Sequence, residues 1–372
     1  MRREHLEAFA PVCPRCRADF HRDNPVRLAR VGLEANGHIV DGALHCTDSG
    51  CLMEYPIIDG IPLLVNNLRR FISDNFAHLM WRDDLSDIME SMVGDAVGPN
   101  AVYNSTRQYL SSYTWDHYAD LDPNEPARPG DTGSTDRGSR GRSSGVVDCL
   151  EAGLSLHGVA PEGPSLDCGC SVGRTTFELA ARSGGLALGI DLNLAMLRLA
   201  TRVLRDGVVS YPRRRVGLVY DRHRFAVDFD SADRVDFWCC DATALPLAAG
   251  SVKTLVGLNV LDCVTSPLEL LQCVSRTLAP GGRAVLATPY DWSPGATAVE
   301  SWIGGHSQRG THHGATEPLL QLLLTPGAHP QSIQGLTIQA ENLDVPWSVR
   351  LHDRSTMQYT AHVLALVRGT EP

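Results

Sequence analysis

The sequence predicts an α/β protein with two parts: a doubly wound, mostly parallel sheet of seven strands in its larger C-terminal part, and a small separate module at the N-terminus. Two observations carry this prediction. From about residue 147, short apolar runs typical of strands alternate with amphipathic segments typical of helices, which is the pattern of a parallel sheet covered by helices. Ahead of that region, the first seventy residues contain two cysteine pairs, Cys13/Cys16 and Cys46/Cys51.

The predicted strands follow one another through the second half of the chain. The first strand ends at Asp167 and leads through a glycine turn into the helix TTFELAARS, and the second is followed by the helix LAMLRLATRVLRD. The later strands are residues 186–193, 235–246, 252–264, 280–290 and two more between 336 and 368. Because ligands of such sheets bind at the carboxyl ends of the strands, the polar residues at those ends are the candidate site.

Composition and spacing divide the chain into four segments. We predict a module over 1–67, a helical connection over 68–122 with two or three helices, a loop over 123–146 and the sheet domain over 147–370. The loop is rich in Gly, Ser, Arg and Pro, holds almost no large apolar residue, and is expected to be flexible. RNA binding by its arginines is the alternative to a solvated insertion.

Charge and hydropathy exclude several classes of protein. The 372 residues carry a net charge of −10, which disfavours a large nucleic-acid footprint. No apolar stretch approaches the ~20 residues that a membrane helix needs, and the N-terminus lacks the apolar core of a signal peptide. We therefore expect a cytoplasmic protein with no membrane or nucleic-acid partner, and the sequence leaves its oligomeric state open.

The two cysteine pairs have the spacing of a zinc site. Cys13 and Cys16 are separated by two residues, and Cys46 and Cys51 by four. Two such pairs suit a tetrahedral structural zinc, whose closed ligand set supports folding and not catalysis. His21 or His45 is an alternative for one thiolate, so the fourth ligand stays open, and four reduced thiols that merely pack are the remaining alternative.

The stretch after the second pair strengthens the zinc prediction. The run MEYPIIDGIPLLV, residues 53–65, resembles the small zinc-ribbon proteins that activate tRNA and protein methyltransferases, over about residues 10–66. The resemblance implies a zinc-ribbon module whose main role is to serve as a docking platform for a methyltransferase domain.

The strand-end residues of the larger part indicate a nucleoside-containing ligand. Asp167, Gly169 and Gly173 form a glycine turn, and Asp191, 24 residues after Asp167, suits a ribose diol. Asp241 ends the third strand, where its carboxylate can accept a hydrogen bond from an amino group such as adenine N6. A dinucleotide turn would need glycines at positions 169, 171 and 174, but the residues there are Gly, Ser and Arg.

Together with Pro280-Gly281-Gly282, these residues resemble class I S-adenosylmethionine-dependent methyltransferases, which have a seven-stranded Rossmann-like sheet. The resemblance assigns the glycine turn to the methionine part of S-adenosylmethionine, Asp191 to the ribose and Asp241 with Ala242 to the adenine. The predicted cofactor residues are Asp167, Gly169, Cys170, Gly173, Arg174, Asp191, Leu192, Asp241, Ala242 and Asn259.

A narrower resemblance concerns the methyl acceptor. The segments GLNVLDCV, LAPGGRAVLATPYDW and ESWIGG resemble the C-terminal methyltransferase domain of ovothiol synthases, over most of residues 103–368. That domain methylates an imidazole nitrogen of a sulfur-substituted histidine. In this chain the cysteine module stands where that family has an iron-dependent sulfoxide synthase half, which leaves the substrate open. The residues carried over are Asn259, Asp262, Pro289, Tyr290, Trp302, Gly304 and Gly305.

Roles follow from this resemblance. We expect Asn259, Asp262 and Tyr290 to be catalytic, with Asp262 binding an ammonium or imidazole N–H and keeping the attacking nitrogen unprotonated. Tyr290 and Trp302 are expected to form the pocket wall. The candidate substrate-binding residues are Tyr211, Asp262, Tyr290, Trp302 and Arg350, of which Tyr211 and Arg350 are candidates for a carboxylate. The alternatives are a helix N-cap for Asp262, core packing for the aromatic residues, and structural roles for His352 and His362.

Three functions are open at this stage. The first is N-methylation of a thiol- or selenol-substituted histidine, or of another small imidazole or amine, with S-adenosylmethionine and structural zinc as cofactors. The second is an RNA or ribosomal methyltransferase, and the third is a scaffold that binds S-adenosylmethionine without catalysis. The intact Asp191 and Asp241 argue against the scaffold.

Overall fold

The computed structural model describes residues 1–82, 84–125 and 144–370. Most of the predicted loop 123–146, including its arginines, lies outside the described residues.

The N-terminal region consists of two short helices and four antiparallel strands. Its elements are α1 (Arg3–Phe9), α2 (Pro14–Phe20), β1 (Val26–Ala35), β2 (His38–Cys46), β3 (Glu54–Ile58) and β4 (Ile61–Leu64).

Two tight turns set the register of these strands. Asn36-Gly37 joins β1 to β2, and Asp59-Gly60 joins β3 to β4, with φ angles between 51° and 88° at all four residues. Two-residue hairpins with a type I′ turn need positive φ at both central positions, and Asn-Gly and Asp-Gly satisfy this requirement at least steric cost.

The connecting region is helical, as predicted, but contains four helices instead of two or three. They are α3 (Leu68–Asp74), α4 (Phe76–Leu79), α5 (Asp87–Val97) and α6 (Val102–Tyr118). The next helix, α7 (Gly145–Leu156), precedes the first strand of the larger part. None of the helices in the described residues is long and apolar enough to cross a membrane.

The larger part alternates strands and helices, and strands occur at each of the seven predicted places. Its elements are β5 (Ser165–Cys168), α8 (Arg174–Ser183), β6 (Ala187–Asp191), α9 (Leu194–Asp206), β7 (Val208–Val216), β8 (Val219–Ala226), β9 (Val235–Cys240), β10 (Val252–Leu258), α10 (Pro267–Thr277), β11 (Leu278–Thr288), α11 (Thr316–Leu323), β12 (Leu336–His352) and β13 (Ser355–Arg368). The antiparallel hairpin β7–β8 forms a separate two-stranded sheet that the sequence analysis did not predict.

The main sheet has eleven strands and not seven. Its order is β1-β2-β3-β4-β9-β6-β5-β10-β11-β13-β12. The strands from β4 to β11 in this order are parallel to their neighbours, and the two ends of the sheet are antiparallel. The predicted α/β class is confirmed, but the N-terminal module is not a separate layer, because β4 pairs with β9 and extends the sheet.

The junction between the N-terminal module and the larger part is buried, and it contains both apolar contacts and a polar one. Strand β4 is buried along its whole length, and Leu63 and Leu64 pair with Cys239 and Cys240. The Nε2 atom of His5 lies 3.2 Å from the carbonyl oxygen of Ala187 in β6. This contact of His5 joins α1, the first helix of the module, directly to the central strand β6.

Acid is expected to weaken this junction. Burial lowers the pKa of His5, and it lowers the pKa of His38 to about 4. In the unfolded chain both histidines bind a proton near pH 6.5, whereas in the folded chain they stay neutral to lower pH. The free energy of unfolding therefore falls between pH 6.5 and pH 4. Thermal unfolding of wild type and His38→Gln at pH 7 and pH 5 tests this. The variant is expected to lose less of its Tm on acidification, and an equal loss in both proteins would contradict the assignment.

Candidate active site

A cavity of about 670 Å³ lies at the carboxyl ends of the central strands. Its size lies within the ~300–1,000 Å³ that small-molecule sites occupy. The predicted site residues that line it are Asp167, Gly169, Asp191, Leu192, Asp241, Ala242, Asn259, Asp262 and Pro289. They come from four strand ends and from the segment after β11, so parallel pairing brings together residues up to 122 positions apart.

The turn after β5 is built around the buried carboxylate of Asp167. Its Oδ2 accepts hydrogen bonds from the hydroxyls of Thr175 and Thr176, at 2.5 and 2.6 Å. Burial nevertheless raises its pKa to about 6. The carboxylate thereby joins the end of β5 to the first turn of α8 and fixes the backbone that faces the cavity.

The two glycines of the turn are needed for different contacts. Gly169 has φ 77° and lines the cavity, and a Cβ atom there would lie 2.9 Å from Val260. Gly173 has φ 91°, and a Cβ atom there would lie 2.6 Å from the ring of Phe237. Gly173 is outside the cavity lining, so its glycine is required by packing against β9 and not by close approach of a ligand.

Asp191 lies at the end of β6 with both carboxylate oxygens turned back to the chain. Oδ2 accepts from the backbone N–H of Ser171 at 2.9 Å, and Oδ1 from that of Asn193 at 2.8 Å. Burial raises the pKa of Asp191. These contacts, together with one from the backbone of Leu192, fix the orientation of a carboxylate that lines the cavity.

Asp241 follows β9 and caps a single 3₁₀ turn, Ala242–Ala244. Its Oδ1 accepts from the backbone N–H and the hydroxyl of Thr243, at 2.8 and 2.7 Å. This leaves Oδ2 without a hydrogen bond within the described residues. The arrangement places one carboxylate oxygen on the chain and makes the other available to a ligand.

The end of β10 supplies two acceptors that have no partner in the described chain. Asn259 has φ 54°, and its Oδ1 is buried without a hydrogen bond. Asp262 is 2% exposed, and its Oδ1 is also unpartnered. Burial is the main cause that raises the pKa of Asp262. Buried polar atoms without partners are rare in folded proteins, so two of them in one cavity indicate a ligand that donates N–H or O–H groups.

Three predicted cofactor residues next to the turn face away from the cavity. Cys170 and Gly173 are outside the lining, and the Arg174 side chain forms ion pairs with Asp120 at 3.0 Å and Glu178 at 2.7 Å. Arg174 therefore joins α8 to the end of α6. Its position in the sequence beside the turn does not make it a ligand contact.

Two predicted aromatic residues belong to the packing of the segment after β11. The Tyr290 hydroxyl lies 2.6 Å from His362 Nδ1, and His362 Nε2 lies 3.1 Å from a carboxylate oxygen of Glu341. Trp302 donates its indole N–H to the carbonyl of Thr297 and stacks on Trp292. Neither Tyr290 nor Trp302 lines the cavity.

The two remaining glycines of this segment also have packing roles. A Cβ atom on Gly304 would lie 3.0 Å from the backbone of Ala315, and one on Gly305 would lie 2.8 Å from Trp292. Both glycines have positive φ. They allow the chain to fold closely over the tryptophan pair.

The two residues expected to hold a carboxylate are elsewhere. Tyr211 is 2% exposed and lines a different, smaller cavity beside α9. Arg350 is 4% exposed and is paired with Asp353, and it donates to the carbonyl of Arg214 at 2.8 Å. Neither lines the cavity at the strand ends. His352 accepts a hydrogen bond from the backbone N–H of Arg354, consistent with a structural role.

The residues that close the cavity were not predicted from the sequence. They come from α6 and from the antiparallel strands β12 and β13, and include Tyr109, Tyr113, Trp347, Val349 and Tyr359. Asp291, directly after Tyr290, also lines the cavity. No spacing rule connects a helix before the sheet with its last strands, so no local signal identified them.

Replacing Tyr290 with phenylalanine is expected to leave kcat/KM within about threefold of wild type. The variant loses the hydrogen bond to His362, and the free energy of unfolding should fall by about 1 kcal/mol. Steady-state kinetics and denaturant unfolding measure the two effects. A thirtyfold loss of kcat/KM at unchanged stability would instead place the Tyr290 hydroxyl at the reacting atoms.

The four cysteines of the N-terminal region form a compact cluster. The sulfur atoms of Cys13 and Cys51 are 3.8 Å apart, and those of Cys16 and Cys46 are 3.6 Å apart. A tetrahedral zinc with bonds of about 2.3 Å requires sulfur separations of about 3.8 Å, so the donor set fits the ion. No histidine belongs to this cluster within the described residues.

Comparison with known proteins agrees with the fold. Residues 166–286 match the family described as methyltransferase domain. The domain is therefore an S-adenosylmethionine-dependent methyltransferase domain, which confirms the prediction from the strand-end residues. No curated protein matches the sequence.

Several solved structures are distantly similar. Phosphoethanolamine N-methyltransferase 2 of Haemonchus contortus is 20% identical with a TM-score of 0.30, and the match covers 38% of this chain and 28% of that one. An S-adenosylmethionine-dependent methyltransferase of Methanosarcina mazei is 20% identical with a TM-score of 0.37, covering 58% and 98%. A chain of the Haloferax volcanii complex between the Trm112 methyltransferase activator and a methyltransferase is 14% identical with a TM-score of 0.35, covering 60% of this chain and 89% of that one. These likenesses are too distant to assign a substrate.

Proposed function

We propose that the protein transfers a methyl group from S-adenosylmethionine to an imidazole nitrogen of a small molecule. A thiol- or selenol-substituted histidine is the first candidate acceptor. The observation that carries the proposal is the pair of unpartnered oxygens, Oδ1 of Asn259 and Oδ1 of Asp262, beside the predicted cofactor residues. Both accept hydrogen bonds, and an imidazole or amine donates them.

The side chains support this chemistry by holding a proton in place. A neutral imidazole has one N–H and one nitrogen with a free lone pair. If Asp262 accepts the N–H, the other nitrogen is fixed as the unprotonated one and can attack. Bound S-adenosylmethionine supplies an activated methyl group on a sulfonium. The rigid end of β10 then contributes mainly alignment, which supplies a large share of the acceleration in such displacements.

The cofactor end of the cavity is proposed to follow the strand ends. Asp191 would accept hydrogen bonds from the ribose hydroxyls, and Asp241 Oδ2 would accept from the adenine amino group. Gly169 would let the backbone approach the methionine part. Leu192 and Ala242 line the same cavity and would contact the nucleoside.

Replacing Asp191 with asparagine is expected to raise the Kd for S-adenosylmethionine by about 10- to 100-fold. The amide removes one acceptor and the charge from a site of charge-assisted hydrogen bonds, which are each worth about 1.5–3 kcal/mol. Isothermal titration calorimetry measures the change. The exposed Asp206 at the end of α9 provides the matched control, because Asp206→Asn should bind like wild type. Equal affinity of Asp191→Asn and wild type would remove Asp191 from the site.

Transfer of a labelled methyl group separates the candidate functions. The full chain is incubated with labelled S-adenosylmethionine and either 5-thiohistidine or bulk RNA, and the label is followed into each. We expect label on the imidazole compound. Transfer to RNA alone would favour the RNA methyltransferase, and binding of S-adenosylmethionine without any transfer would favour the scaffold.

For the N-terminal region we propose a structural zinc ribbon that docks on the catalytic domain. The sulfur separations fit zinc, and the N–H of Cys16 lies 3.4 Å from the sulfur of Cys13, as is usual in cysteine turns that bind a metal. Through β4 and β9 the ribbon continues the catalytic sheet, whose next strand, β6, ends in Asp191. Its proposed role is therefore to brace the cofactor end of the site.

A further inference from the structure

Part of the cavity extends beyond Asn259 and is not needed by the cofactor assignments above. We call it the acceptor lobe and define it by Tyr113, Asp262, Cys263, Asp291 and Tyr359, all of which line the cavity. It combines two aspartates with two tyrosine rings, and Asp262 brings the buried, unpartnered Oδ1 described above.

Asp291 is held in place by its neighbour across the lobe. The Tyr359 hydroxyl donates to Asp291 Oδ2 at 3.0 Å, which orients the carboxylate. The pKa of Tyr359 is raised to about 12, mainly by burial and also by its hydrogen bond to Asp291 and by the negative charges of Asp291 and Asp262. The Tyr359 hydroxyl therefore stays protonated and available as the donor to Asp291.

The lining of the cavity is rich in carboxylates, and burial lowers the pKa of the lining histidine, His117, to about 3, so that this ring is neutral. Six aspartates line the cavity, and among the residues that the structure describes no lysine or arginine does. The lining aspartates are Asp116, Asp167, Asp191, Asp241, Asp262 and Asp291. Arg350, the residue expected to grip a carboxylate, is buried against Asp353. The lining therefore attracts cations and repels carboxylates.

We propose that the acceptor lobe recognises the ammonium group of the imidazole substrate, with Asp291 and the rings of Tyr113 and Tyr359 as its binding residues, and leaves the substrate carboxylate unbound. This inference rests on the proposed function, because it takes the N–H contact of Asp262 as given. A carboxylate next to an ammonium gains from pairing, and tyrosine faces also attract cations at close range. The protein should then select substrates that carry an ammonium group, whether or not they also carry a carboxylate.

Three ring-matched acceptors test the inference with the full chain: 5-thiohistidine, its decarboxylated amine and its desamino acid. We expect the decarboxylated amine to keep kcat/KM within about fivefold of 5-thiohistidine. The desamino acid is expected to lose about 30-fold or more, since it lacks the cation and brings only an unpaired anion. A desamino acid as reactive as 5-thiohistidine would overturn the inference and leave the proposed function intact.

The variant Asp291→Asn tests the inference through the ratio of kcat/KM for 5-thiohistidine to kcat/KM for the desamino acid. It should lower the preference for 5-thiohistidine over the desamino acid by about tenfold, whereas a merely structural effect would lower both rates together. The exposed Asp344 on β12 gives the matched control, and Asp344→Asn should keep the wild-type ratio. An unchanged ratio in Asp291→Asn would overturn the role of Asp291. If none of the three compounds is methylated while S-adenosylmethionine binds, the proposed function fails and the inference with it.

Discussion

Replacing Asp262 with asparagine is expected to lower kcat/KM for methyl transfer by about 100- to 1,000-fold while the affinity for S-adenosylmethionine stays within about threefold. Asp262 is buried, and its Oδ1 has no partner in the described chain. An amide in its place offers a weaker acceptor and no charge, so the imidazole N–H is held less firmly. General-base and positioning groups of this kind contribute factors of about 10² to 10⁴.

Steady-state kinetics with 5-thiohistidine and calorimetry with S-adenosylmethionine together measure the two quantities. The Asp344→Asn control, exposed on β12, should leave both unchanged. The neighbouring variant Asn259→Ala should also reduce kcat/KM, because it removes the second unpartnered oxygen. If Asp262→Asn retained full activity, the residue would be no more than the middle of the 3₁₀ turn Leu261–Cys263, and the acceptor would have to bind elsewhere in the cavity.

Acid is expected to lower the activity of the wild-type protein, as the Asp262→Asn substitution does. Burial raises the pKa of Asp262 above its ordinary value of 3.8, so this carboxylate is protonated at a higher pH than a surface aspartate. A protonated Asp262 donates a hydrogen bond and no longer accepts one from the imidazole with its full charge. The imidazole itself gains a proton near pH 6.5, and both changes remove reactive nitrogen as the pH falls.

The aspartates at the strand ends of the candidate site were predictable because the ends of parallel strands meet at one edge of the sheet. Asp167, Asp191, Asp241 and Asp262 are far apart in sequence, but each follows a buried apolar run. Parallel pairing of β5, β6, β9 and β10 then brings all four to one edge. Alternation of strands and helices is enough to predict that edge, and glycine spacing is enough to choose between two kinds of nucleotide turn.

The side chains that the segment after β11 turns to the cavity were not predictable in the same way. Tyr290 and Asp291 are adjacent in sequence, yet only Asp291 lines the cavity, since Tyr290 has φ 57° and turns its hydroxyl to His362. A family motif marks such a segment but not which of its side chains faces the ligand. Arg174 is a similar case, because its partners Asp120 and Glu178 are visible only once α6 and α8 are packed.

The junction of β4 with β9 was missed for a different reason. The run IPLL reads equally well as the last strand of a separate module or as a strand of the main sheet, because both would be buried and apolar. The two alternatives differ in whether the edge of β9 is covered, which the sequence of β4 does not show. Strand β9 is buried at every residue, and an exposed edge there would leave backbone groups unpaired, so β4 completes it.

Removal of the proposed zinc is expected to destabilise the whole chain and not the N-terminal region alone. The double variant Cys13→Ser/Cys46→Ser removes one thiol from each pair, and its Tm should fall by more than about 10 °C. Structural zinc contributes apparent free energies of about 10 kcal/mol or more in small modules, and without it the strands that include β4 lose their support. Loss of β4 would then expose β9 and loosen the neighbouring strand that carries Asp191.

A matched control separates metal loss from ordinary loss of a buried thiol. Cys149 is fully buried in α7 and lies outside the cluster, so Cys149→Ser carries the same chemical change and should cost only a few degrees. Elemental analysis should find about one zinc per wild-type chain and none in the double variant. Because β4 supports β9 and β6, the double variant should also bind S-adenosylmethionine more weakly at temperatures where it is still folded. If it bound the cofactor as wild type does and melted like Cys149→Ser, the cysteine cluster would be four packed thiols, and the ribbon would not brace the site.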